Sequence, residues 1–174
     1  TYTIEAMMHD GKSLQSGTTH DLGQKFAKAF NIKFLNKNGE LEYGYSTSWG
    51  VSTRLIGAII MVHGDNRGLV LPPRVAPIQT IIIPIGQNNE NVAKTAQNLE
   101  EELLKLGIRV ETDKTENSPG WKFNQWEMKG VPVRVEIGPR DLENGVVTLV
   151  RRDTLEKVTC KAVSYTHLRA HETE

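Results

Sequence analysis

The spacing of apolar residues changes near the middle of the chain, and this change predicts two structural units. From residue 77 onward, the stretch QTIIIPI is continuously apolar, which is typical of a strand buried on both faces. Apolar residues then recur at helical spacing and predict one long amphipathic helix that ends at Gly107. The residues of this stripe are Val92, Ala96, Leu99, Leu103 and Leu106.

The rest of the second half continues this pattern. The stretch IRVET predicts a short strand, and the order strand, helix, strand predicts two parallel strands joined by a right-handed crossover. The stretch PGWKFNQWEMKG predicts another helix, and VPVRVEIG and VVTLVRR predict two further strands. We therefore expect a small α/β domain here.

The first half has shorter and more varied patterns. The stretch TIEAMM predicts a strand, and GKSLQSG predicts a loop. Leu22, Phe26 and Phe30 are spaced four residues apart, which predicts a helix over TTHDLGQKFAKAF. Thr18 and Asp21 have the spacing of a capping box at the start of that helix, with Asp in place of Glu.

A hairpin, a helix and a linker complete the predicted elements. The turn NKNGE between IKFL and LEYGYSTSW indicates a β-hairpin, because Asn-Gly is a strong turn signal. The unbroken apolar run of residues 55–62 predicts a buried helix. The stretch NRGLVLPPRVAP contains three prolines that interrupt regular structure, and it is the best candidate for a linker between the units.

Composition narrows the function classes. The 174-residue chain has a formal net charge of zero, which argues against a general nucleic-acid coat, so any such contact would need a local patch. No apolar stretch approaches the roughly 20 residues that span a membrane, and we see no secretory signal. The single cysteine excludes an internal disulfide and suits a reducing cytosol, so we expect a cytoplasmic protein without a membrane partner.

Arg54 stands at the start of the predicted buried helix, where the positive end of the helix dipole repels a cation. Ser52 or Thr53 can serve as the N-cap of this helix. An arginine at this place is explained if its guanidinium and the free N–H groups bind one polyanion, such as a nucleotide phosphate. The alternative is an exposed arginine that pairs with a nearby carboxylate.

The stretch QSGTTH is the second candidate site. It places Gln15, Thr18 and His20 at the start of the other predicted helix, where the positive pole favours a neutral imidazole. In the alternative interpretation, Thr18 is a cap and His20 is a surface residue. The histidines lack ligand-like spacing with Cys or acidic residues, so the sequence predicts no metal site. It contains no Walker A, dinucleotide-binding or serine-nucleophile motif either.

Aromatic and basic residues alternate in the second half. Trp121, Phe123 and Trp126 alternate with Lys122 and Lys129, and four arginines follow at positions 134, 140, 151 and 152. Stacking faces among cations are what single-stranded RNA bases require. Alternatively, the aromatic residues form the core and the cations a solvated face.

Several long motifs resemble one family. The stretch GVSTRLIGAIIMVHGDNRGLVLPPRVAPIQ resembles motif 3 of class II aminoacyl-tRNA synthetases and the link to their anticodon-binding domain. With LQSGTTHDLGQKFAKAF and VPVRVEIGPRD, it is similar to prolyl-tRNA synthetases of the archaeal/eukaryotic type, as far as about Cys160. The resemblance implies that residues 1–76 are the C-terminal part of an antiparallel-sheet catalytic domain that includes motif 3. Residues 77–162 would be a small α/β anticodon-binding domain with a mixed sheet.

The resemblance also implies roles for individual residues. Arg54 would be catalytic and hold the ATP γ-phosphate. The implied ATP-binding positions are Gln15, Thr18, Ser52 and Arg54, and the implied proline-pocket positions are His20, Ser48, Trp49 and Gly50. The implied anticodon-binding positions are Glu136 and Arg140, with Phe123, Trp126 and Arg152 as weaker matches.

The chain resembles only some of the motifs and domains of this family. Nothing matches motif 1, motif 2 or the domain that follows the anticodon-binding domain, so we expect a fragment that is inactive alone. Residues 163–174 fit no continuation of the family and resemble translated vector sequence, so we predict a non-native tail.

The expected function is that of a larger parent enzyme. It would be a ligase that activates L-proline with ATP and substrate-associated Mg²⁺, transfers prolyl to tRNA(Pro), and forms a homodimer. The alternative is a non-catalytic, synthetase-like module that binds RNA or protein. A sister enzyme such as a threonyl-tRNA synthetase is disfavoured, because no zinc-ligand set occurs.

Overall fold

Five strands of the second unit form one mixed sheet. In this computed structural model, which describes residues 1–86 and 89–161, the strand order is β10-β9-β8-β6-β7. Strand β6 is parallel to β7 and β8, whereas β9 is antiparallel to β8 and β10. The strands are β6 (Thr80–Pro84), β7 (Val110–Thr112), β8 (Val133–Ile137), β9 (Val146–Arg151) and β10 (Lys157–Lys161). The predicted parallel pair and mixed sheet are confirmed.

Helices cover both faces of this sheet. They are α3 (Glu90–Lys105), α4 (Pro119–Met128) and α5 (Pro139–Glu143). Strand β6 is buried throughout, and alternate residues serve the two faces: Ile82 packs with α3, whereas Ile81 and Ile83 pack with Trp126 of α4. The continuously apolar strand is therefore buried on both of its faces, as predicted.

The long helix α3 follows its predicted pattern with one exception. The side chain of Asn89 caps its first turn, and Gly107 follows its C-terminus with φ of +82°, a conformation that favours glycine. The stripe is buried from Val92 to Leu103, but Leu106 is 50% exposed. That part of the prediction was wrong because the helix ends at Lys105, and helical periodicity no longer sets the direction of the next side chain.

The first unit contains a three-stranded antiparallel sheet in the order β1-β2-β5 and a separate hairpin. Its strands are β1 (Tyr2–Met7), β2 (Ser13–Gly23), β3 (Lys33–Leu35), β4 (Leu41–Tyr43) and β5 (Ser46–Val51), and its helices are α1 (Lys25–Ala29) and α2 (Arg54–His63). The hairpin β3–β4 is confirmed. Residues 46–51, however, pair with β2 and do not extend the hairpin.

Residues 13–23 are a strand and not the predicted loop and helix start. Strand β2 lies between β1 and β5, so hydrogen bonds to both neighbours override the helical spacing of Leu22, Phe26 and Phe30. Only residues 25–29 are helical, and α1 has no side-chain cap. The proposed Thr18–Asp21 capping box was therefore wrong.

Helix α2 forms where it was predicted, but it is not buried. Only Ala58 is fully buried, while Ile56 is 61% and Met61 48% exposed. A run of apolar residues predicts that a helix is buried, but it does not identify the part of the protein that buries it. Within the described part of residues 1–62, little packs against this helix.

The chain divides into two compact units between Val62 and His63. The expected boundary, after residue 76, falls inside the second unit. The proline-containing stretch is hydrogen-bonded within that unit: the Leu69 and Leu71 N–H groups donate to the carbonyls of Met128 and Gly130 at 3.0 and 3.1 Å. The predicted foreign tail, residues 163–174, lies outside the described residues.

Candidate functional site

Arg54 and two other predicted ATP-site residues lie together in the first unit. Arg54 is the first residue of α2, and its backbone N–H donates to the Ser52 hydroxyl at 3.3 Å. Its guanidinium Nη1 donates to the carbonyl oxygen of Gln15, at 3.1 Å. Among the described residues, no ion pair includes Arg54. The anion-site role of Arg54 stays a prediction.

The predicted proline-pocket residues lie on β2 and β5, but on two faces of the sheet. His20 is opposite Ser48, and Thr18 is opposite Gly50, so these four positions share one face. Trp49 is opposite Thr19 and points to the other face, where its side chain is 77% exposed.

His20 does not lie at a helix N-terminus, so the predicted influence of a helix dipole on its imidazole was wrong. Its Nδ1 lies 2.9 Å from the Thr1 hydroxyl. An open cavity of about 320 Å³ borders Thr18, Trp49 and Gly50.

A cluster of charged and aromatic side chains lies between α4 and β8 in the second unit. The guanidinium of Arg134 lies 4.4 Å from the ring centre of Phe123. Its Nε and Nη2 atoms both lie 3.0 Å from Oε1 of Glu136, and its Nη1 lies 3.9 Å from Oε2 of Glu127. Lys157 reaches the other Glu136 oxygen at 3.6 Å. We call these five residues the α4–β8 cluster.

Three members of this cluster, Glu127, Arg134 and Lys157, were not among the predicted site residues. Phe123 and Glu127 are four residues apart on α4, so they lie on the same side of the helix. Arg134 and Glu136 are two residues apart on β8, so they share one face of the sheet. These spacings could have indicated Glu127 and Arg134 from the sequence.

Arg140 lies at the carboxyl end of β8, where recognition loops of such sheets gather. It is on the short helix α5 that starts after Gly138, and its side chain is exposed. The Glu136 side chain, by contrast, is 10% exposed and reaches solvent only partly, beside the 59% exposed side chain of Lys157.

Trp126 and Arg152 are held within the fold. The Trp126 indole N–H donates to Oδ2 of Asp113 at 2.6 Å, and Lys122 pairs with the other oxygen at 3.5 Å. Burial raises the pKa of Asp113, but hydrogen bonds from Thr115 and Trp126 and the charge of Lys122 outweigh it and leave the pKa below its usual value. For Trp126 and Lys122, the core interpretation is therefore correct.

Arg152 makes a two-pronged contact with Asp65. Its Nη1 and Nη2 atoms donate to the two carboxylate oxygens at 2.8 and 2.6 Å, and its Nε donates to the carbonyl of Glu127 at 2.8 Å. These hydrogen bonds lower the pKa of Asp65 well below its usual range. The Arg152 side chain is only 3% exposed, so we assign it a structural role and leave it out of any RNA contact.

Residues 1–86 and 89–161 contain neither a membrane-spanning helix nor a cluster of metal-ligating side chains. No helix there is long and apolar enough to cross a membrane. No group of three or more His, Cys, Asp or Glu side chains in those residues is arranged to hold a metal ion.

Known proteins are similar to this chain over both of its units. The family model described as an anticodon binding domain matches residues 79–166, a range that includes the first residues of the predicted foreign tail. A proline–tRNA ligase of Acetoanaerobium sticklandii is 68% identical over 158 residues, which cover 90% of this chain and 33% of that protein. Those of Clostridium novyi and Symbiobacterium thermophilum are each 60% identical, over 91% of this chain and 33% of their own lengths.

The chain spans about a third of the length of the curated relatives it matches. The assignment to the archaeal/eukaryotic type stays a prediction. The chain belongs to the anticodon-binding-domain family, and over most of its length it is homologous to proline–tRNA ligases.

Proposed function

We propose that this chain is part of a proline–tRNA ligase that works in translation in the cytoplasm. The observation that carries the proposal is the identity of 57–68% to proline–tRNA ligases over about 90% of the chain. The parent enzyme would join L-proline to tRNA(Pro) in two steps. It would act as a homodimer, and this part of it would be inactive alone.

The first unit would contribute to proline activation. In this step the proline carboxylate attacks the α-phosphate of ATP, a prolyl-adenylate forms, and pyrophosphate leaves with its associated Mg²⁺. No side chain need act as nucleophile. Arg54, supported by Gln15 and Ser52, would hold the γ-phosphate and stabilise charge on the leaving group. Its exposed fork and its place at a helix N-terminus support this role.

The proline pocket and the remaining ATP contact would use one face of the first sheet. Thr18, His20, Ser48 and Gly50 share that face. The side chain of Trp49 is left out of the pocket, because it points to the other face.

The second unit would recognise the anticodon through the α4–β8 cluster and Arg140. Proline codons begin with two cytosines, so the anticodon carries two guanines. Guanine offers N–H donors that carboxylates accept, and O6 and N7 acceptors that suit a guanidinium. Glu127 and Glu136 supply the carboxylates, Arg134 and Arg140 supply the guanidinium groups, and Phe123 offers a ring for stacking.

Binding of an anticodon stem-loop RNA to the 174-residue chain tests this role. Glu136→Gln and Arg140→Ala should each reduce the preference for the proline anticodon over one with a replaced guanine, by about 1–3 kcal/mol. Glu101→Gln, an exposed change on α3, is the matched control and should leave the preference unchanged. If the unchanged chain shows no preference between the two RNAs, the proposed anticodon role is wrong.

A non-catalytic RNA-binding module would pass the same binding test. The two functions separate in the full-length parent, where only an enzyme would exchange pyrophosphate into ATP in a proline-dependent reaction. The retention of Gln15, Thr18, His20 and Arg54 favours the enzyme, because a module that only binds RNA has no need of an ATP site.

A further inference from the structure

The segment Asp65–Leu71 precedes the matched anticodon-binding domain, which starts at residue 79, yet it is built into the same unit. Its backbone pairs with the end of α4: the Leu69 N–H donates to the Met128 carbonyl at 3.0 Å, and the Leu71 N–H donates to the Gly130 carbonyl at 3.1 Å. The segment therefore runs directly beside the helix that carries Phe123 and Glu127.

Glycines make this contact close. A Cβ at Gly68 would lie 2.6 Å from the Met128 carbonyl oxygen, and a Cβ at Gly130 would lie 2.5 Å from the Cβ of Leu69. Both glycines also have positive φ, +131° and +72°. Because only glycine fits at both positions, the segment and the end of α4 are held at a fixed distance.

Asp65 fixes the same segment from its other side. Its carboxylate accepts two hydrogen bonds from Arg152, which also donates to the backbone carbonyl of Glu127. Asp65 accepts a further hydrogen bond from the Arg67 backbone N–H at 2.8 Å, so the backbone from which the Arg67 side chain extends is fixed too.

Arg67 uses this fixed position to contact Glu127. Its Nη1 donates to Oε1 of Glu127 at 2.9 Å, while the other carboxylate oxygen lies 3.9 Å from Arg134. We infer that Arg67 is a positioning residue for anticodon recognition: it holds the Glu127 carboxylate in the orientation in which the α4–β8 cluster accepts a base. This inference rests on the proposed function. It adds to the site a residue from outside the matched domain.

The experiment compares Arg67→Ala with Arg74→Ala in the full 174-residue chain. Arg74 is an exposed arginine nearby in the sequence that uses its backbone carbonyl in the fold, so it is a matched control for the loss of one charge. The discrimination ratio is the Kd of the stem-loop with one guanine replaced divided by the Kd of the proline anticodon stem-loop. Because the Arg67 side chain is 59% exposed, Arg67→Ala should lower the ratio by about two- to fivefold.

A double-mutant cycle shows whether the effect passes through Glu127. Glu127→Gln should lower the ratio by itself, and adding Arg67→Ala should then lower it little further. Arg67→Lys should retain part of the ratio, because it keeps the charge but not the planar fork.

Three results would overturn the inference. In the first, Arg67→Ala changes neither Kd. In the second, it weakens binding of both RNAs by the same factor, which indicates a phosphate contact. In the third, it lowers the ratio equally in the Glu127→Gln background. If the unchanged chain has no preference, it is the proposed function that fails.

Discussion

Asp113 is expected to be a position of the second unit that is highly sensitive to substitution. It is 4% exposed and lies between two buried side chains of α4, the ammonium of Lys122 and the indole N–H of Trp126. Asp113→Ala would leave Lys122 as a buried charge without this carboxylate and would remove the acceptor from Trp126.

The magnitude follows from the burial of Lys122, whose side chain is 2% exposed. Removing one partner of a buried ion pair costs about 3–5 kcal/mol, because the other charge loses its compensation. That is a large part of the roughly 5–15 kcal/mol that stabilise a typical domain. Lys122→Met leaves Asp113 as the buried charge, but Asp113 keeps its hydrogen bonds from Thr115 and Trp126, so this change should cost less than Asp113→Ala.

Urea unfolding followed by tryptophan fluorescence measures these costs. A Trp49→Phe background removes the only tryptophan of residues 1–62, so Trp121 and Trp126 report on the second unit. The double variant Asp113→Ala with Lys122→Met should be more stable than Asp113→Ala alone, because the second change removes the unpaired charge. A double variant less stable than Asp113→Ala, or a cost of Asp113→Ala below about 1 kcal/mol, would refute this reasoning.

The remaining predictions concern the first site and the response to acid. In the full-length parent, Arg54→Ala should lower proline-dependent ATP–pyrophosphate exchange by about 10²-fold while barely changing stability; near-normal exchange would contradict the phosphate role. Because Arg152 lowers the pKa of Asp65 below its unfolded value of about 3.9, the stabilisation from this contact is complete above that value and is lost as pH falls below it. Urea midpoints of the second unit should therefore fall as the pH drops from about 4 to about 2, and Asp65→Asn should make that fall smaller; an unchanged fall would contradict the assignment.

The fold of the second unit could largely be predicted, because local patterns set most of it. A continuously apolar strand, a stripe of helical period and a second strand leave few alternatives to a parallel pair. Helix α5 and strand β10 were missed, because PRDLE has one apolar side chain after its proline and KVTCK has a lysine at each end, so neither resembles a buried element.

Residues 13–23 show where local patterns fail. The helical spacing of Leu22, Phe26 and Phe30 is real, but Phe26 and Phe30 are 51% and 71% exposed and belong to no core among residues 1–86 and 89–161. The strand exists because β1 and β5 pair with it, and such non-local pairing leaves no periodic signal in one segment.

The contacts within the two candidate sites also differ in how far the sequence could predict them. The spacing of Arg134 and Glu136 on one strand could reveal their contact, whereas Arg54 and Gln15 are 39 residues apart, and Arg67 and Glu127 are 60 apart. Contacts of that kind depend on the whole fold, so residue type and spacing alone could not predict them.

The charge balance of the α4–β8 cluster explains how a chain of zero net charge could recognise an RNA sequence. Glu127 and Glu136 offset Arg134 and Lys157, so the cluster adds little to the counterion release that drives general affinity for nucleic acid. Its side chains instead hold one another in place, and in the proposed role each carboxylate would offer an oriented acceptor to a base. Such a site would contribute discrimination more than affinity, because a base without matching donors leaves a partly buried carboxylate unsatisfied. In the proposed enzyme, the affinity for tRNA would then come from contacts elsewhere, and this unit would supply the choice among anticodons.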